Sequence, residues 1–109
     1  MDGHAAGRGL NVTPDELEAQ RAIGGRLVVV DVRSRREFDE GHVPGAVHLP
    51  YWQALFATLP PGGDLVLYCG HGPRARLART LLRLRGVRDV RLLDGHYARW
   101  RRHSRQVER

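Results

Sequence analysis

Between Asp64 and Gly86 the sequence runs DLVLYCGHGPRARLARTLLRLRG, and no other stretch restricts the fold as much. Leu65 to Tyr68 is a short apolar run rich in strand formers, the length of a buried strand. From Arg74 onward Leu77, Ala78, Leu81, Leu82 and Leu84 recur at helical spacing, which predicts a helix with Arg76, Arg79 and Arg83 on its polar face. The six residues between strand and helix are Cys69, Gly70, His71, Gly72, Pro73 and Arg74. Two glycines let this backbone curl and approach a ligand closely. Pro73 suits a first helical position, where a missing N–H costs nothing. The remaining amides can converge on whatever Cys69 carries, as at other anion-binding helix N-termini. The loop reads as a cradle for a thiolate.

That placement dictates a chemistry. A helix N-terminus and a neighbouring cation favour the thiolate, the form of cysteine that acts as a nucleophile. Arg74 keeps its charge at any physiological pH and can stabilise an anionic cysteine adduct. Most lone cysteines are buried and inert, but an ordinary strand end has no need of Gly-x-Gly followed by arginine.

A chain of 109 residues is long enough for one core, and 11–109 reads as a single domain behind a glycine-rich, flexible leader over 1–10. The longest apolar runs are far short of a membrane span, and the N-terminus has no apolar signal region. Cys69 is the only cysteine, so no internal disulfide can form; this fits a reducing, cytoplasmic setting and leaves the thiol free. The net charge is +6, and all 18 basic residues are arginine, which points to GC-rich coding more than to a nucleic-acid surface. No nucleic-acid motif is present, and no aromatics interleave with the arginines. The six histidines do not cluster at ligand spacing, and a lone cysteine makes a poor zinc site, so no metal is expected.

Along the chain, Asn11-Val12 reads as a very short strand. Thr13, Pro14 and Glu16 then make a capping box with proline at the first helical position, for a helix ending at Gly24-Gly25. Leu27 to Val32 is a β-branched run suited to a strand buried on both faces. Ser34 caps a short helix through Phe38, Gly41 to Gly45 turns the chain, and Ala46 to Leu49 is the next strand. Tyr51 to Leu59 is expected to be helical up to the Pro60-Pro61-Gly62-Gly63 stop. Asp89 to Leu93 is a last strand, Asp94-Gly95 a turn, and a final helix from His96 carries Tyr97, Trp100 and Val107 on one face. Strands alternating with helices predict an α/β fold with a small, mainly parallel sheet of about five strands between helical layers. In such sheets ligands sit beyond the C-terminal strand ends, where Cys69 lies.

At this point the sequence resembles the rhodanese-like domain family of single-domain sulfurtransferases, from about Val12 to Trp100. The resemblance is carried by Asp31-Val32-Arg33; by Glu37-Phe38 followed by Gly41-His42-Val43-Pro44-Gly45-Ala46; by the loop Cys69 to Arg74; and by Leu93-Asp94-Gly95 leading to Trp100. It implies a three-layer α/β/α domain in which Cys69 takes a sulfane sulfur from a donor such as thiosulfate. The sulfur is held as a persulfide and handed to cyanide or a thiol, with no metal or organic cofactor. It also implies that the backbone of the loop Gly70, His71, Gly72, Pro73, Arg74 and Ala75 holds the outer sulfur. Asp31, Arg33 and His42 are read as structural, tying the strand end to the neighbouring loop. Two positions depart from the family pattern: His96, where many members have a second glycine, is placed at the pocket rim, and Gly70 stands where many carry a large or charged residue.

Two other functions share these parts. Cysteine-dependent phosphatases and arsenate reductases also combine cysteine, an anion-cradling loop and arginine, but with five residues between cysteine and arginine. Here four intervene, Gly70 to Pro73, which suits a single extra sulfur. A protein sulfur-relay module would use the same persulfide and present its arginine-rich faces to an acidic partner. A catalytically silent interaction module is disfavoured by the intact cysteine loop.

Overall fold

The computed structural model describes residues 11–103 and 106–109, so the expected leader over 1–10 lies outside the described residues. Five parallel strands form one sheet: β1 (Asn11–Val12), β2 (Leu27–Asp31), β3 (Val47–His48), β4 (Asp64–Tyr68) and β5 (Val90–Leu93), in the order β1-β5-β4-β2-β3. The helices are α1 (Pro14–Ala22), α2 (Arg35–Glu40), α3 (Pro73–Leu84) and α4 (His96–Arg102). Strand β4 is central and pairs along its length with β2, from Leu27 opposite Asp64 to Asp31 opposite Tyr68.

Alternation of side chains along the strands builds two cores. Val30, Leu65, Leu67 and Cys69 point to one face, where Ala75, Ala78 and Leu82 of α3 and Ala54 cover them. Val29, Val66 and Tyr68 point to the other, under Leu17 of α1 and Tyr97 and Trp100 of α4. Burial on both faces is why β2 and β4 are continuously apolar. The result is the three-layer arrangement that the alternation of elements implied.

Local signals set the helix ends. Thr13 with Glu16 and Ser34 with Glu37 both form complete capping boxes, each cap contributing about 1 kcal/mol. At the end of α1, Gly24 adopts φ 74°, while its N–H donates to the Arg21 carbonyl and that of Gly25 to the Gln20 carbonyl. This left-handed stop needs a residue without Cβ strain.

Three sequence expectations change. Tyr51 to Leu59 is not a helix: only Tyr51–Gln53 forms a 3₁₀ turn. Pro60 and Pro61 have no N–H to close a last helical turn, and the Ala54 and Ala57 carbonyls instead accept from the Arg85 guanidinium at 3.0 and 2.7 Å. In α3 the buried stripe is Ala75, Ala78 and Leu82, whereas Leu77 and Leu84 are exposed. Val107 is not on α4, which stops at Arg102. Val107 reaches the same core from a C-terminal stretch that pairs backbone to backbone with His42 through Glu108.

Candidate active site

The chain leaves β2 toward β3 on one side and β4 toward β5 on the other, so the crevice between the C-terminal ends of β2 and β4 is the point where strand order reverses. Open α/β sheets bind ligands at such points. Cys69 directly follows β4 there, and its side chain is fully buried. Its Sγ accepts from the Gly72 amide at 3.0 Å and the Ala75 amide at 3.4 Å. Gly72 adopts φ 131°, in the region that disfavours side chains, and an added Cβ would stand 2.7 Å from an Arg76 nitrogen. Pro73 is the first residue of α3, as its ring requires.

Arg74 turns from the sulfur to a carboxylate. Its guanidinium donates to Glu37 at 2.6 and 3.1 Å, a two-pronged pair joining α3 to α2. The Arg74 hydrogen bond, against a smaller cost of burial, holds the Glu37 carboxyl down to about 2. The same bond to Glu37 raises Arg74, ahead of a weaker electrostatic pull from Cys69. Sequence reasoning did not pick Glu37 as a site residue. The signal was its capping box with Ser34, which fixes the carboxylate at the first turn of α2.

With this geometry in place, the comparisons with known proteins are decisive. The rhodanese-like domain family matches residues 13–103. This chain belongs to that family.

Among relatives, the thiosulfate sulfurtransferase GlpE of Pseudomonas savastanoi pv. phaseolicola is 33% identical over 92 residues, covering 83% of this chain and 85% of GlpE. The tRNA sulfurtransferase of Thermoplasma acidophilum is 31% identical over 72 residues, covering 66% of this chain but 15% of that protein. The structure of the human single-domain sulfurtransferase TSTD1 superposes with a TM-score of 0.72 at 30% identity, covering 84% of this chain and 95% of that one.

Around the loop of this rhodanese-like domain, the other sequence-read residues fall into two groups. Asp31 and Arg33 are buried and form a two-pronged pair at 2.7 to 3.1 Å. Arg33 also donates to the Gly41 carbonyl at 2.7 Å and lies 4.1 Å above the Tyr97 ring, tying the end of β2 to the next turn and to α4. His42 stacks on Phe38 at 3.7 Å, with its Nδ1 2.7 Å from the Phe38 carbonyl. These residues brace the crevice without touching Sγ.

Gly70 and His71 face outward. With Tyr97, Ala98, Arg101 and Arg102 they line a cavity of about 430 Å³ that contains no carboxylate. Sequence reasoning missed Arg101 and Arg102, which stood out in no motif. His96 is largely buried beneath the loop, where its Nδ1 accepts from the Cys69 backbone N–H at 3.2 Å, and it also lines a second cavity of about 380 Å³ with His71, Arg76 and Asp94.

Proposed function

We propose that this chain is a sulfurtransferase of the thiosulfate:cyanide type, working through a persulfide on Cys69. The observation that carries the reading is the convergence of the Gly72 and Ala75 amides on Sγ, in a loop with only four residues between Cys69 and Arg74. The Cys69 thiolate attacks the outer sulfur of thiosulfate, a sulfur–sulfur bond forms, and the donor's own sulfur–sulfur bond breaks to release sulfite. The persulfide keeps one negative charge at its outer sulfur, which needs donors around it. Loop amides supply these without reorganising, as in other preorganised anion holes. Cyanide or a thiolate then attacks the outer sulfur, and thiocyanate or a persulfidated thiol leaves as Cys69 returns to the thiolate. Both steps are substitutions at sulfur and call for no metal or organic cofactor. A reducing cytoplasm suits the cycle, since the resting thiol must stay unoxidised.

The cavity beside the loop, lined by Gly70 and His71, has a positive wall in exposed Arg101 and Arg102 that would gather an anionic donor near the nucleophile. That favours a dianion such as thiosulfate over a neutral donor. A sulfur relay is the second reading, favoured by the exposed Arg76 and Arg83 on α3 together with this lining, which suit docking of an acidic protein partner.

The test is steady-state thiocyanate formation from thiosulfate and cyanide, with an aryl phosphate as the contrasting substrate. The expected result is thiocyanate formation with the parallel-line kinetics of a covalent intermediate and no phosphate release. Aryl phosphate hydrolysis without thiocyanate would assign the chain to phosphoryl chemistry instead.

A further inference from the structure

The Cys69 peptide is held from below by the first residues of α4. The Cys69 N–H donates to His96 Nδ1 at 3.2 Å, the Cys69 carbonyl accepts from the Tyr97 amide at 3.0 Å, and the Gly70 carbonyl accepts from Ala98 at 3.2 Å. A backbone N–H can only donate, so Nδ1 must carry a free lone pair and the neutral ring holds its proton on Nε2. Nε2 stands 3.3 Å from where a Cβ on Gly72 would lie, so the ring packs under the residue whose amide reaches Sγ. His96 is also the one non-glycine with positive φ among the described residues, at 55°, directly after Gly95 at 74°. A side chain is disfavoured in that region.

We propose that His96 is a positioning residue for the nucleophile: its neutral imidazole fixes the Cys69 peptide and the floor of the loop, so that the Gly72 and Ala75 amides stay aimed at the sulfur. The proposal rests on the sulfur-transfer reading for its functional meaning. Without the ring, the buried Cys69 N–H has no partner, and a buried unpaired donor is costly enough to shift the loop.

The surroundings keep the ring neutral. Burial is the largest cause, and Arg76 from α3 and His71 from the loop add repulsion. Asp94, on the turn before α4, pulls the other way but is itself paired with Arg99. Together they lower His96 to about 4 from 6.5. The unfolded chain therefore binds this proton more readily than the folded one. Stability contributed by the neutral ring is complete above about 6.5 and falls as pH drops toward about 4, where a protonated Nδ1 would face the Cys69 N–H donor to donor.

Three measurements test this. Imidazole ¹⁵N shifts of the wild type should show His96 as the Nε2–H tautomer, titrating near 4. An Nδ1–H tautomer, or titration near the ordinary 6.5, overturns the proposal. His96→Gly relieves the backbone but removes the acceptor. Its single-turnover sulfur uptake from thiosulfate at neutral pH should fall by about 10-fold or more, since misplacing a reacting group by about 1 Å costs about 100-fold. His96→Asn offers an oxygen near the place of Nδ1 and tolerates positive φ, so it should recover most of that rate while losing the share of the stability fall between about 6.5 and about 4 that His96 carries. Folded His96→Gly at wild-type rate, or a stability fall between about 6.5 and about 4 that is unchanged in His96→Asn, overturns the proposal as well. Iodoacetamide alkylation of Cys69, followed in the same variants, separates the two readings. If the wild type takes no sulfur, the sulfurtransferase reading fails, while the alkylation rates and ¹⁵N shifts still decide the role of His96.

Discussion

Cys69→Ser will fold as the wild type does and transfer no sulfur. The hydroxyl oxygen can accept from the Gly72 and Ala75 amides much as Sγ does, so the loop keeps its internal hydrogen bonds. The change lies in reactivity: an alcohol is a far weaker nucleophile than a thiolate at neutral pH, and among the described residues no side-chain base is hydrogen-bonded to Sγ to take its proton. His96 offers its lone pair to the backbone of Cys69 rather than to its side chain. Circular dichroism and thermal unfolding check the fold; thiocyanate formation checks the chemistry. With one cysteine in the chain, no second thiol can substitute. Sulfur transfer by the folded variant would remove Cys69 from the mechanism.

Inserting one glycine between Gly72 and Pro73 should have a comparably large effect. In the wild type the two amides that reach Sγ belong to residues on either side of Pro73, and the Arg76 amide donates back to the Gly72 carbonyl at 3.0 Å. An extra residue separates the amides and widens their circle. Sulfur transfer is expected to fall by about 100-fold, the scale of a displacement near 1 Å. The wider loop should gain measurable affinity for phosphate or arsenate, because it then fits a group with three equatorial oxygens. Unchanged sulfur-transfer kinetics in the insert would mean that loop closure does not select the ligand.

The parts of this fold that were legible in the sequence are those governed by neighbouring residues. A β-branched run marked β2, a short apolar run marked β4, capping boxes marked α1 and α2, and glycine with proline marked the loop at Cys69. Tyr51 to Leu59 misled because its apolar content resembled a helix, whereas its carbonyls are claimed by Arg85, 28 and 31 residues away. Long-range contacts decide the rest. Glu37 meets Arg74 across 37 residues, and His96 lies under Cys69 across 27, so neither pairing has a local signature. Val107 was legible as apolar, but not the pairing of its neighbour Glu108 with His42. The pocket-mouth position expected of His96 came from comparison with a family position that holds glycine, which carries no sign of a side-chain acceptor. The Cys69 N–H, needing an acceptor at the end of β4, is what draws the ring under the loop.

The most direct test of the account is the intact mass of the protein after incubation with thiosulfate and removal of excess donor, read before and after addition of cyanide. Wild type should gain the mass of one sulfur atom, lose it to cyanide with one equivalent of thiocyanate, and regain it on a second exposure; Cys69→Ser should gain nothing. A wild type that stays at its starting mass with thiosulfate and with every other sulfane sulfur donor offered would contradict the persulfide on Cys69.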